Sequence, residues 1–234
     1  MAGTIAYELT VDGSAQLSGA AEAWWHDVVL PVIRGAEGIV SAELFRPTAG
    51  EGVDPYNPEK HPPLLRLTVD CADRAGLDRF AGSAAWRTAI DTVPEGIALA
   101  SSAMERRAYP VPDGNGTGER ANVANIVRYR HPMDDPAGFV DEYLSQHPQI
   151  EAAFPGIRDI FCFIPIDWAD PTGVTDAGYV LGNEVGFDSA AAFGQAMASP
   201  AREELRAHFR TFPPLRGRLS HDLMERQMIV SAAV

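Results

Sequence analysis

The sequence predicts an α+β chain of two tandem β-α-β-β-α-β units whose antiparallel sheets pack into a pseudo-symmetric barrel. Three observations predict it. Period-2 and helical stretches alternate in the order β-α-β-β-α-β, and then do so a second time. A run rich in Gly, Asn, Asp and Pro, "VPDGNGTGERAN", separates the two passes. Particular residues return in the second pass: Gly38-Ile39 as Gly156-Ile157, "FAGSAAW" from Phe80 as "AMASPAR" from Ala196, and Met104-Glu105-Arg106 as Met224-Glu225-Arg226. The period is roughly 115 to 120 residues, far longer than that of a solenoid.

In the first pass "IAYELTV" alternates as a strand, "GAAEAWWHDVVLPVIRGAEG" has helical spacing, and "IVSAELFRP" and "LLRLTVDC" are strands. "DRAGLDRFAGSAAWRTAIDT" is the second helix and "SAMERRAYPV" the closing strand. In the second pass the same roles fall to "NVANIVRYRHP", "PAGFVDEYLSQHPQIEAAFPG", "IRDIFCFIPIDW", "GYVLGNEVGF", "SAAAFGQAMASPAREELRAHF" and "LSHDLMERQMIV". The units are expected over residues 1–111 and 121–234, joined by a linker at 112–120. Each is the ferredoxin-like arrangement, with both helices on one face of a four-stranded sheet. The other face needs cover. In "IRDIFCFIPI" nearly every position is apolar, as in a strand buried on both faces, so the two sheets are expected to cover each other.

Composition narrows the function. With 46% apolar and 9% aromatic residues in 234, the chain has enough material for a sizeable core. Its net charge of −13 makes nucleic acid and anionic membrane surfaces poor partners. No basic segment precedes an apolar run at the N-terminus and no stretch is long enough to span a bilayer, so a cytoplasmic location is expected. For the same reason Asn115-Gly116-Thr117 is not read as a glycosylation site. Cys71 and Cys162 have no CxxC spacing and are expected to be buried thiols. Lys60 is the only lysine and lies in the loop-like "GEGVDPYNPEKHPP", which offers neither a P-loop nor a Schiff-base site. GxGxxG, GxSxG and HExxH are absent as well. No cofactor is expected.

One helix carries chemistry. In "DEYLSQHPQIEAAFPG", Phe139, Val140, Tyr143, Leu144, His147, Ile150 and Phe154 share a face, so His147 points toward the sheet. A histidine there is either a core residue bonded to a backbone carbonyl or a proton-transfer group. On the last strand His221 and Asp222 alternate onto opposite faces, and one of them should face the helices near His147; a polar edge strand is the plainer reading. Asn125 and Arg128 could hold a carbonyl or enolate oxygen, or serve the surface and cross-strand pairing. Trp24, Trp25 and Trp86 read as core, and His26-Asp27 as solvent-facing. His61, His131 and His208 show no metal-ligand spacing.

The sequence resembles the EthD-like family of the dimeric α+β barrel superfamily, in tandem form. The resemblance rests on Tyr143, on His147-Pro148 followed by Pro155-Gly156, on "SPAR" at Ser199 to Arg202, and on the closing "MER". Aligning Gly38 with Gly156 sets Val29 opposite His147 and Trp25 opposite Tyr143, so the second half is the expected working half and the first its scaffold.

The resemblance implies a small-molecule pocket between the sheet and the helices of one unit. It implies a cofactor-independent acid–base enzyme (dehydratase, isomerase, cyclase or lyase) acting on a hydrophobic aromatic or polyketide-like molecule. His147, Tyr143, His221 and Asp222 are its candidate catalytic residues, and Asn125, Arg128 and Phe139 its candidate binding residues. The alternatives are a cofactor-free mono-oxygenase of the same fold and a non-catalytic small-ligand-binding protein. Haem, known in distant relatives of this fold, would need one well-placed axial histidine, a place His147 could fill. A homodimer through outer strands or helices is a further expectation.

Overall fold

The computed structural model describes residues 4–48, 62–112 and 120–231. Lys60, His61, the Asn115-Gly116-Thr117 triplet and nearly all of the expected linker lie outside the described residues.

In the first half of the chain β1 (Thr4–Asp12) leads into α1 (Ser18–Trp24), a π-helical turn (Trp25–Val29) and α2 (Leu30–Gly35), followed by β2 (Ile39–Pro47) and β3 (Leu65–Cys71). Then come α3 (Arg74–Ala81), α4 (Ala84–Asp91) and β4 (Ala98–Tyr109). The second half has β5 (Val123–Arg130), α5 (Pro136–Glu151), β6 (Ile157–Pro165), the short β7 (Thr175–Asp176), β8 (Tyr179–Phe187), α6 (Ala190–Met197), α7 (Pro200–Phe209) and β9 (Leu219–Val230).

Three expected helices differ in detail. The helix from Arg74 breaks at Gly82-Ser83, where the Ser83 hydroxyl accepts from Trp86 N–H and starts α4. The later helix breaks at Ala198-Ser199, because Pro200 suits the first turn of α7 and cannot donate within a continuing one. The π-helical turn lies just before Pro31, whose ring would collide with the Asp27 carbonyl in regular α geometry. That turn also widens the stretch set opposite Tyr143 and His147, whereas α5 runs unbroken. A residue count alone therefore does not fix the pairing of Val29 with His147.

The strands hydrogen-bond in the order β1-β3-β2-β9-β5-β8-β6-β4, and β4 returns to β1, closing a barrel with β7 attached outside it. Each half contributes four consecutive strands in the same order, and β2–β9 and β4–β6 are the seams. The two sheets are thus joined edge to edge as well as covering each other. β9 pairs on both sides, with β2 and β5, so it is not the edge strand its polarity allowed. Closure leaves no long strand edge for a second copy, so any homodimer would use helices or loops. Gly38 and Gly156 both turn from helix to strand with positive φ, 84° and 75°, which is why the residue type recurs.

Outward-facing strand residues meet the helices. Around the first half, Tyr7, Leu9, Leu67 and Val69 pack with Trp24, Trp25, Phe80 and Trp86, so the tryptophans are core. His26 and Asp27 are exposed, and both cysteines are buried and free. Inward-facing positions are charged on every barrel strand: Glu8, Glu43, Arg66 and Asp70, Arg106, Arg128, Asp159, Glu184, and Asp222 with Arg226. Arg66 donates to Glu8 and, at 2.9 Å, to Asp222; Arg106 donates to Glu43 at 2.7 Å and Asp70 at 2.8 Å.

The β6–β8 loop straps the halves together. Trp168 packs edge-on against Tyr7 at 5.8 Å, and Asp170 accepts from the Tyr7 hydroxyl at 2.9 Å and from Ser101 at 2.8 Å. Asp170→Ala would take the carboxylate acceptor from the buried Tyr7 hydroxyl, at a cost of about 1–3 kcal/mol. A lowered denaturation midpoint with an unchanged denaturant slope is expected in equilibrium urea unfolding.

Candidate functional site

In the second half a cavity of about 310 Å³ lies between the outer face of β5, β8 and β9 and the inner faces of α5 and α7. In the first half bulky indoles fill the corresponding layer between helices and sheet. Along α5, Tyr143, His147 and Glu151 follow one another at steps of four, so all three line the cavity from one helix face. The helix is set by the Asp135 carboxylate, which caps it by accepting from Gly138 N–H at 2.9 Å, and by Phe139, which packs against Tyr129.

Glu151 is a buried carboxyl on the cavity wall. It is 4% exposed, and burial pushes its carboxyl up from 4.5 to about 8, against the lowering pull of Asn183, Tyr143 and Arg202. Asn183 Nδ2–H donates to Oε2 at 2.9 Å, and the Tyr143 hydroxyl donates to Oε1 at 3.4 Å. His147 Nε2 lies 3.9 Å from the same Oε1. Burial first, and then His208, Arg202 and His221, push the imidazole of His147 down to about 3. Near neutral pH, therefore, Glu151 holds its proton and His147 is neutral. Burial also holds the Tyr143 hydroxyl well above its usual range, so it stays a donor.

His147 Nδ1 meets His208 Nδ1 at 3.1 Å, and His208 Nε2 meets Glu142 Oε1 at 3.3 Å. Phe212 packs against both imidazoles. These contacts do not fit an axial haem ligand, because one ring nitrogen of His147 is taken by His208, the other faces a carboxyl, and the Tyr143 ring covers it at 4.3 Å. No group of three or more His, Cys, Asp or Glu among the described residues could hold a metal ion.

The structure brings Asn125 and His221 to this cavity with Tyr143 and His147. It does not bring Asp222 or Arg128 there, and those two expectations are corrected. Strand alternation turns both into the barrel, where Asp222 accepts from Arg66 at 2.9 Å and Arg128 pairs with Glu8. Phe139 is fully buried behind Tyr143 and Tyr129 and acts as packing beneath the wall rather than as lining.

Sequence reasoning missed Glu151, Asn183, Arg202 and His208. The first two left signals: Glu151 completes the spacing of Tyr143 and His147, and Asn183 interrupts an otherwise apolar helix-facing side of β8. His208 lies 61 residues from its partner and left none.

No family model matches the chain, and no curated protein matches it in sequence. Solved structures do match in shape. An anthrone oxidase-like protein superposes with a TM-score of 0.67 at 11% identity, over 100% of this chain and 98% of the other. The chain has the fold of the dimeric α+β barrels. A proposed monooxygenase from Fusobacterium nucleatum subsp. nucleatum shares that fold with a TM-score of 0.60 at 8% identity, over 97% and 94% of the two chains. A chlorite dismutase mutant from Candidatus Nitrospira defluvii does so at 0.52 and 11%, over 96% and 92%. Identities this low establish a shared barrel and nothing about the reaction. No helix among the described residues is long and apolar enough to cross a membrane.

Proposed function

We propose that this barrel is a small-molecule enzyme that removes a proton from a flat, largely apolar, ring-bearing substrate, as the resemblance to EthD-like proteins implies. The observation that carries the reading is Glu151: a carboxyl whose proton is held to about pH 8, on the wall of a cavity whose apolar lining is Val127, Phe154, Leu205 and Phe209 with the Tyr129 ring. A base whose pKa lies near the working pH transfers protons efficiently in both directions. In its ionised form Glu151 takes a proton from carbon beside a carbonyl, and the electron pair moves to the carbonyl oxygen. Asn125, His221 and Arg202 line the same space and supply donors for that oxygen. Return of the proton to another carbon completes an isomerisation, and loss of a neighbouring hydroxide as water completes a dehydration.

A second reading is supported by the likeness to the anthrone oxidase-like protein and the proposed monooxygenase. The same deprotonated substrate passes its electrons to dioxygen without a cofactor, so that an anthrone and dioxygen yield an anthraquinone and water. One experiment separates these readings. The protein is mixed with an anthrone in air and under nitrogen, and dioxygen uptake and products are followed. Uptake that matches quinone formation supports oxygenation, and isomerised product without uptake supports acid–base chemistry alone. Saturable binding with no product in either atmosphere, indifferent to His147→Ala, would mark a ligand-binding protein and overturn the enzyme reading.

A further inference from the structure

We infer that His147, His208 and Glu142 form a built-in proton exit that carries the proton gained by Glu151 out of the cavity to the protein surface behind it. The inference rests on the reading of Glu151 as the base. A substrate that fills the cavity closes the direct route from Glu151 to bulk water, so the proton needs a second way out.

The four groups are in sequence across the α5–α7 contact, and exposure rises along them: the side chains of Glu151 and His147 are 5% and 6% exposed, that of His208 7%, and that of Glu142 38%. The outer end fixes the orientation of the chain. A carboxylate oxygen accepts, so the 3.3 Å contact with Glu142 Oε1 sets the His208 proton on Nε2. His208 Nδ1 is then a bare acceptor. His147, 3.1 Å away, must therefore be the Nδ1–H tautomer, which turns its Nε2 lone pair toward Glu151. At the inner end Asn183 donates to Oε2 at 2.9 Å and Tyr143 reaches Oε1 only at 3.4 Å, so the shorter bond leaves the carboxyl proton to Oε1, the oxygen facing His147.

Every donor thus points outward. Glu151 gives its proton to His147 Nε2, His147 releases the Nδ1 proton to His208 Nδ1, and His208 releases the Nε2 proton to Glu142, which loses it to water. One proton enters and one leaves, and both imidazoles end neutral in the opposite tautomer, to be reset by ring rotation. The innermost gap, 3.9 Å, is longer than a hydrogen bond and closes through one water or a small shift of the carboxyl. His147 passes the proton on rather than keeping it, because burial together with His208, Arg202 and His221 makes its charged form costly.

The test has two readouts, and the first needs no substrate. Nitrogen-15 NMR at neutral pH should show His147 as the Nδ1–H tautomer and His208 as the Nε2–H tautomer, and Glu142→Leu, a change at a 38% exposed position that removes the acceptor, should release this preference. His147 found as Nε2–H, or tautomers indifferent to Glu142→Leu, would overturn the relay. The second readout is turnover of an anthrone in weak buffer. His208→Ala should lower kcat about tenfold or more with KM unchanged, and added imidazole, entering the space the side chain leaves, should restore the rate by carrying the proton. Unchanged kcat would overturn the relay as well. If the wild-type protein turns over no anthrone, the enzyme reading fails on its own and the tautomers still decide whether the exit exists.

Discussion

Glu151→Gln should abolish most turnover and, at alkaline pH, make the protein more stable. Removing a general base typically costs about 10²–10⁴-fold in rate, and the amide keeps the shape of the carboxyl beside Asn183 and Tyr143. The stability effect follows from linkage. Unfolded, the carboxyl ionises at its usual 4.5; folded, it keeps its proton to about 8. Between these values the folded state binds more protons than the unfolded one, so stability falls as pH rises through the window and the loss is complete above about 8. At about 1.4 kcal/mol per pH unit the loss reaches a few kcal/mol. Glutamine carries no such cost. Urea unfolding at pH 9 should show the variant ahead of the wild type by a few kcal/mol, and at pH 4 the two should nearly coincide. A variant that keeps its rate would move the base elsewhere, and a variant no more stable at pH 9 would mean that the carboxyl is already ionised near neutral pH.

The same residue shows how far the sequence could be read. The order of strands and helices was legible because alternation and helical spacing are local signals: "IAYELTV" and "DEYLSQHPQIEAAFPG" each announce their element within a few residues. Tyr143 and His147 were legible for the same reason. Barrel closure was legible only as a need to cover two sheet faces. Its seams depend on β2 meeting β9 and on β4 meeting β6, pairings between distant segments that leave no local trace. His208 beside His147 is invisible for that reason too. Arg128 and Asp222 were misplaced because alternation tells which residues share a face and not which face meets the helices. What decides it is the company they keep: on β5, Val127 and Tyr129 go to the helix side, and Arg128 must turn inward between them.

The inward charges bear on stability more heavily than any group in the cavity, and Glu8→Ala should show it. Glu8 is fully buried between the Arg66 and Arg128 guanidiniums. Arg128 lies flat against β8, where a side chain at Gly182 would come within 2.9 Å of its Nη1, so it has little room to turn toward water. Removing the carboxylate leaves Arg128 bonded to the carbonyls of Val127 and Asn183 and lying over the Phe163 ring without its counter-charge, and breaking one partner of a buried pair costs about 3–5 kcal/mol. Burial alone would raise the Glu8 carboxyl, but Arg128 and Arg66 outweigh it and hold it at about 2 instead of 4.5. Its contribution is therefore full above pH 4.5 and lost as pH falls toward 2, the same window in which Glu43, held at about 2 by Arg106, Arg226 and Arg120 against its own burial, gives up its share. Glu8→Ala should lose several kcal/mol at pH 7 and show a shallower acid transition than the wild type. Glu8→Leu combined with Arg128→Met, which removes both charges and keeps the volume, should recover much of that loss. If the double variant is as unstable as Glu8→Ala, the cost lies in packing rather than in a stranded charge. If it recovers and keeps the cavity chemistry, the barrel charges serve the closure of the two halves, and proton transfer belongs to the outer face of the same strands.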